Sequence, residues 1–277
     1  RGRIRLDISP GSLVQSGAPA LQTFLKGVKS STVVDLEERS RTPDQNDVYL
    51  LRLGSFRSSE YTLNGRLRIR QEFSFFRNSR SVDLNLNLQS ARSLSELSAG
   101  EERRQSDLVR VFGRLTFHPR WSLRATIERS NEAQKSESFV SRNFDIVTTE
   151  FSPSVTWNAS RPLLVTVATV ISQKDEQILG GTAKTVRIPI DARYRLEQKF
   201  DLATRFEVSS VDLKGQYAGR TAFELTDGRG AGTSYLWRLS LQSYLSDVLT
   251  ATISYDGRAP EDRKVIHTAR FELSARF

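Results

Sequence analysis

From about residue 60 onward, apolar and polar side chains alternate one by one along most of the chain. Leu67 and Ile69, for example, share one parity, whereas Arg68 and Arg70 share the other. Because successive side chains of a β-strand point to opposite faces of a sheet, this period of two predicts strands with one apolar and one polar face. No helical period competes with the pattern over this region, so an all-β fold is predicted.

The alternating region, residues 60–277, divides into eleven strands. Residues 1–59 are less regular, with weak alternating runs at 4–8, 34–36 and 48–56. If all three runs are strands, the total is about fourteen, within a range of about 12–16, and an even number would close a barrel with both termini on one side. We therefore interpret residues 1–59 as irregular strands of the same barrel, with 10–31 as a long loop or a plug segment.

Short and long connections alternate along this predicted meander. The short ones fall at 77–80, 118–121, 158–162, 198–200 and 245–247. The long polar ones fall at 91–107, 130–141, 172–184, 214–234 and 256–263. The arrangement predicts an up-and-down antiparallel sheet with short turns at one end and long loops at the other, as in transmembrane β-barrels. A phase shift between Phe144 and Val155 also predicts a β-bulge near Pro153.

The composition excludes several kinds of site. The 277 residues include no Cys and only two His, His118 and His267, which lie far apart in sequence. Disulfides, Cys-ligated metals and thiol nucleophiles are thereby excluded, and we expect no metal and no cofactor. The net charge is +9, but the basic residues are spread along the strands rather than clustered, so we expect no nucleic-acid partner.

The polar parity of the strands is rich in charge and is predicted to line the lumen. An open lumen with surplus positive charge would favour anions, whereas a narrow one would be closed by ion-pair ladders. The predicted lumen-lining residues are Arg66, Arg68, Arg70, Glu72, Asp83, Arg110, Arg114, Arg124, Glu128, Arg187, Asp191, Arg193, Arg195, Glu197, Arg205, Glu207, Arg270 and Glu272.

Aromatic residues gather next to the short turns. Aromatic rings prefer the interface between membrane and water, so a girdle at one end of the strands is expected of a membrane barrel. The predicted interface aromatics are Phe75, Phe117, Trp121, Trp157, Phe200 and Tyr244.

The last residues, 271–277, alternate apolar and polar side chains and finish on an aromatic residue. This segment resembles the terminal β-signal that the barrel-assembly machinery reads, with Phe271, Leu273 and Phe277 as its apolar positions. Residues 253–258 and 265–270 resemble the closing hairpin of C-terminal β-barrel domains in outer-membrane proteins of the Bacteroidota–Chlorobi type. The resemblance implies a bacterial outer-membrane location. Outer-membrane lipid, the assembly machinery and, in one interpretation, other envelope-complex subunits would then be the partners.

Three functional interpretations remain open at this level. The first is an outer-membrane barrel that acts as a pore or as a translocation or transport unit, and the second is a structural barrel that anchors a larger protein or envelope complex. The third is a soluble β-sandwich, which would turn the apolar face toward a core. A catalytic His267 would need a nearby Ser, but position 269 is Ala, so we expect no catalytic residue and no enzymatic activity.

Overall fold

The computed structural model describes residues 2–8, 27–40, 63–76, 79–97, 100–196, 199–217, 219–246, 248–261 and 264–275. These residues form one sheet of fourteen strands in which neighbours in sequence pair antiparallel. The prediction of an all-β, up-and-down antiparallel architecture is confirmed. The weak run at 48–56, most of the stretch 10–31, and Glu197 and Phe277 lie outside the described residues.

The sheet runs in order from β1 to β14. Its strands are β1 (Gly2–Ile8), β2 (Lys29–Ser40), β3 (Leu63–Phe75), β4 (Val82–Leu97), β5 (Gly100–His118), β6 (Trp121–Ser136), β7 (Phe144–Asn158), β8 (Leu163–Ala168), β9 (Val170–Glu176), β10 (Thr182–Leu196), β11 (Phe200–Lys214), β12 (Gly232–Tyr244), β13 (Leu249–Pro260) and β14 (Ile266–Ala275). One short α-helix, α1 (Gly219–Thr226), lies between β11 and β12, and a single 3₁₀ turn (Val140–Arg142) lies between β6 and β7. Within the described ranges, no helix is long and apolar enough to span a membrane, and no pairing joins β1 to β14.

Strands β8 and β9 share one position in the sheet, because both pair with β7 and with β10. The break between them falls at Thr169, which donates its backbone N–H to the carbonyl of Pro153 at 3.0 Å. Pro153 on one neighbouring strand and Pro189 on the other have no N–H to donate. The missing donors weaken the ladder locally, which accounts for the interruption.

The predicted bulge near Pro153 is wrong. The register of β6 and β7 runs without interruption from the pair Trp121 and Trp157 to the pair Gln134 and Phe144. The phase shift seen in the sequence has another origin: Phe144 belongs to the face of β7 that is otherwise polar. Helix α1 covers it there, as described below.

The predicted long loops are shorter than expected. Strand β4 continues to Leu97 and β5 begins at Gly100, so most of the predicted loop 91–107 is a strand hairpin. Both faces of this hairpin are largely polar. Strands that extend beyond the apolar zone into water do not need an apolar face, and the alternation that reveals a strand in the sequence is therefore lost.

The sheet is apolar on the outside and polar on the inside. Its outer face carries exposed side chains such as Val111, Ile127, Val186 and Ile190, whereas the described buried residues include ten polar or charged ones and six apolar ones. A soluble β-sandwich would bury its apolar face, so that alternative is excluded. An apolar outer face suits a lipid surround.

Candidate functional site

The inner face of the sheet is the candidate functional site. Cross-strand pairs connect its positions: Asp83 lies opposite Arg114, Arg114 opposite Arg124, and Asp191 opposite Arg205. Followed from strand to strand, the register puts every described member of the predicted lumen set on this face. That these residues line a lumen stays a prediction.

Ion pairs cross this face between neighbouring strands. Arg110 Nε lies 2.6 Å from Glu128 Oε2. Arg205 on β11 lies 3.7 Å from Asp191 on β10, and 2.8 Å from Glu207 on its own strand. The carboxylates and guanidinium groups therefore form a network rather than a set of separate charges.

Several acidic residues of this face were missing from the predicted set, among them three that pair with arginines of the network. Asp201 accepts hydrogen bonds from both Arg193 and Arg195. Glu150 lies 3.2 Å from Arg187. The third, Asp256, pairs with Arg238. Each of the three shares the parity of the charged face, so counting parity to the strand ends would have found them.

Other predicted arginines have partners that are not carboxylates. The Nη2 of Arg70 donates to the side-chain oxygen of Gln89 at 3.2 Å. The guanidinium of Arg124 lies over the Phe112 ring, 5.5 Å from its centre. In register, Arg270 lies opposite Ser254 and Glu272 opposite Thr252.

At the long-loop end, helix α1 packs onto the inner face. Leu225 is fully buried against Phe144, Ile146 and Ala183, with Leu213 beside them. These strand residues stand on the otherwise polar face, so the helix supplies the apolar partner that they would lack in an empty lumen. This small apolar cluster explains the phase shift in β7.

Charged contacts hold the segment after the helix. Lys174 Nζ donates to Asp227 Oδ1 at 2.6 Å and to the carbonyl of Glu224 at 2.8 Å. Arg229 lies 3.0 Å from Glu207, and burial of its guanidinium lowers the pKa of Arg229 from its usual value. We call residues 219–231 the in-folded segment. Sequence periodicity had predicted only a long loop here.

A turn with left-handed backbone ends the in-folded segment. Gly228 has φ +68° there, and a Cβ at this position would overlap the ring of Phe223. Arg258 on β13 donates to the carbonyl oxygens of Gly228 and Arg229 at 3.0 and 3.2 Å. The turn is thus tied to the wall of the sheet as well as to its own helix.

Two cavities open on the inner face. One, of about 210 Å³, lies beneath the in-folded segment and is bordered by Glu207, Arg229 and Arg258. The other, of about 430 Å³, lies near the short turns and is bordered by Glu72 and Arg114 among others. Among the described residues, no three His, Cys, Asp or Glu side chains are grouped as they would be to hold a metal ion.

Aromatic rings mark the outer face near the short turns. Trp121 and Trp157 stack with ring centres 5.5 Å apart, and in register Phe75 and Phe200 share the outer face. Phe117 lies at a register shift between Thr116 and His118 and is largely exposed. Tyr244 differs from the prediction. It follows Gln242 on the inner face of β12 and lies opposite Thr250.

A second aromatic group, near the long loops, was not predicted. His267 Nδ1 lies 2.7 Å from the hydroxyl oxygen of Tyr255, and its ring lies 5.8 Å from that of Trp237. Trp237 extends over Gly257, which leaves room for the ring because it has no side chain. The signal was present in the sequence, since Tyr235, Trp237 and Tyr255 share the outer parity near the long loops.

The described part of the predicted assembly signal lies on the outer face of β14. Phe271 and Leu273 are both largely exposed. Their recognition by assembly machinery stays a prediction.

Comparison with known proteins gives structural matches alone. No family model matches the chain, and no curated protein matches it. The alcaligin outer-membrane receptor FauA of Bordetella pertussis matches with a TM-score of 0.53 and 14% identity, over 90% of this chain and 43% of FauA. OmpT of Vibrio cholerae matches with a TM-score of 0.44 and 7% identity, over 83% of this chain and 78% of OmpT. The NanC porin matches with a TM-score of 0.37 and 14% identity, over 76% of this chain and 94% of NanC.

The similarity to FauA, which extends over less than half of that receptor, shows the fold. The prediction that this chain is not an enzyme is corrected: the similarity shows the fold alone, and because one fold can carry unrelated functions, enzymatic status is open. The predicted fold class is confirmed, and the predicted outer-membrane location agrees with the match to FauA. The chain has the β-barrel fold of that outer-membrane receptor.

Proposed function

We propose that the chain forms a narrow, charge-lined pore in the bacterial outer membrane, restricted at its long-loop end by the in-folded segment. The observation that carries the proposal is the exposure of the inner-face arginines. The side chains of Arg193 and Arg195 are 55% and 60% exposed although both are paired with Asp201. Ion pairs that filled a solid interior would be buried, so these side chains border space that water can enter.

The two ends of the inner face differ in the exposure of their charged side chains. Beneath the in-folded segment the side chains of Glu207 and Lys174 are 4% and 15% exposed. The passage is therefore widest toward the short turns and narrowest at the long loops. Its positive surplus favours anions.

Single-channel recording in planar bilayers tests the proposal. We expect a small conductance, a reversal potential in a salt gradient that indicates anion selectivity, and a several-fold larger conductance after deletion of residues 219–230. Lys174→Gln should also raise the conductance, because it removes the contact to Asp227. The matched control is Lys214→Gln, which breaks an exposed pair of the same chemistry, Lys214 with Asp212 at 3.0 Å.

A second function, a structural barrel that anchors a larger protein or envelope complex, is favoured by one observation. The inner-face carboxylates are largely engaged with arginines, as they would be in a closed barrel. Absence of conductance both before and after the deletion would support anchoring and refute the pore.

We also propose that lipid covers the outer face and that the assembly machinery reads Phe271, Leu273 and Phe277. Refolding into detergent tests the first point: a band that shifts on a gel only after boiling supports a membrane barrel. Slower assembly into vesicles that contain the machinery, after Phe271→Ser, would support the second.

A further inference from the structure

Two arginines lie directly opposite each other near the short turns, Arg114 on β5 and Arg124 on β6. Like charges in directly opposed positions of a sheet are destabilising unless something compensates them. The sheet contains a comparable pair, Arg205 and Arg238, in which each member has a carboxylate partner. In the first pair the compensation is weaker, because Arg114 has a carboxylate only at 3.9 Å and Arg124 forms no ion pair among the described residues.

The carboxylate next to Arg114 is too far away for a hydrogen bond. Arg114 Nη2 lies 3.9 Å from Asp83 Oδ2, and Asp83 accepts instead from the Nδ2 of Asn85 at 2.9 Å. The Nε of Arg114 is buried and has no hydrogen-bond partner among the described residues. The Nε itself is enclosed, but the Arg114 side chain is 41% exposed and its terminal N–H groups make no hydrogen bond among the described residues, so Arg114 retains capacity to bind an anion.

Arg114 borders the cavity of about 430 Å³. Three cationic and two acidic side chains border it, together with the hydroxyls of Ser31, Ser74 and Ser79. A cavity of this size accommodates a small organic molecule. The hydroxyls can bond to a polyhydroxylated molecule, while the cationic surplus favours a negative charge on it.

We propose that this cavity binds a small hydroxylated organic anion whose carboxylate or phosphate group accepts hydrogen bonds from Arg114. The planar guanidinium suits both oxyanions because it can donate two parallel N–H groups. Arg124 adds positive charge from the neighbouring strand, and Lys29 adds it from β2. The proposal deepens the proposed pore function, on which its biological meaning rests, by giving the passage a binding site near the short turns.

Isothermal titration of the full chain refolded in detergent tests this site without requiring an open pore. The probes are glucuronate, glucose 6-phosphate and uncharged glucose. We expect at least one anion to bind and glucose to bind at least about tenfold more weakly, since a charged hydrogen-bonded contact is lost. Binding of glucuronate alone identifies the carboxylate as the recognised group, and binding of the phosphate alone identifies the phosphate.

Variants separate this site from a general effect of charge or folding. Arg114→Gln should weaken anion binding at least about tenfold, whereas Arg129→Gln, which removes an exposed arginine from the outer face, should leave it within about twofold. Asp83→Asn should strengthen binding several-fold, because it removes the nearest negative charge, and misfolding would not produce such a gain. Equal affinity for glucose, or equal losses in R114Q and R129Q, would overturn the proposal.

Conductance of the same preparations distinguishes failure of the site from failure of the pore. Arg114-dependent binding without current would leave the site in place and refute the pore. Current without anion binding would support the pore and refute the binding site.

Discussion

Leu225 is the contact through which the in-folded segment can be tested most directly. It is 0% exposed and packs against Phe144, Ile146 and Ala183. Replacement of a fully buried Leu by Ala costs about 2–5 kcal/mol. If the substitution removes about 3 kcal/mol from the free energy that holds the segment on the inner face, the undocked fraction should rise roughly 100-fold. This follows because each ~1.4 kcal/mol changes an equilibrium constant tenfold.

Hydrogen exchange of the refolded protein, followed by mass spectrometry of peptides that cover residues 219–231, measures this fraction. Amides of helix α1 should exchange roughly 100-fold faster in Leu225→Ala, since they open when the segment leaves the inner face. Phe223→Ala is the matched control on the same helix, because Phe223 is 62% exposed, and it should change the rates by about threefold or less.

Two outcomes would refute this reasoning. Unchanged exchange in Leu225→Ala would mean that the apolar cluster does not hold the segment. Unprotected amides in the unaltered protein would mean that the segment is not docked at all. If exchange rises as expected, longer or more frequent open intervals in bilayer recordings of Leu225→Ala would connect docking with the width of the pore.

The remaining predictions concern the inner ion-pair network and the outer aromatic group. Glu207→Gln should destabilise the folded barrel by about 1–3 kcal/mol in urea titrations in lipid, because it leaves Arg229 without its carboxylate while Arg205 keeps Asp191; Glu72→Gln, at an exposed position, is the control. Gly257→Val should displace the Trp237 ring, which a Cβ would overlap, and should shift the tryptophan emission to the red, whereas Gly113→Val, where the nearest atom is 3.9 Å away, should not. Equal destabilisation by Glu207→Gln and Glu72→Gln would contradict the ion-pair contact. Equal emission shifts in Gly257→Val and Gly113→Val would contradict the contact between Trp237 and Gly257.

The strands and their two faces could be predicted because the signal is local. Alternation such as Arg110 beside Val111 depends only on the geometry of a single strand, and it recurs along the chain wherever one face of the sheet is polar and the other apolar. The same parity could have identified Glu150 and Asp201 as partners of predicted arginines. The hairpin at the end of β4 and the start of β5 could not be recognised in this way, since both of its faces are largely polar.

Which arginine pairs with which carboxylate required the register, because a pairing depends on two strands and on the turn between them. The position of Phe144 on the inner face could be explained only from the full tertiary structure. Its partner Leu225 stands far along the chain on a helix, and no local pattern connects them.

The sequence by itself therefore determined an outer-membrane type of β-sheet, its polar and apolar faces and most of the charged residues that share the inner face. Only the tertiary structure decided that residues 219–231 fold onto that face and that Arg114 faces a cavity with its Nε unpaired. The physical reason is that periodicity reports the environment of one strand, whereas docking and compensation of charge depend on groups brought together from distant parts of the chain.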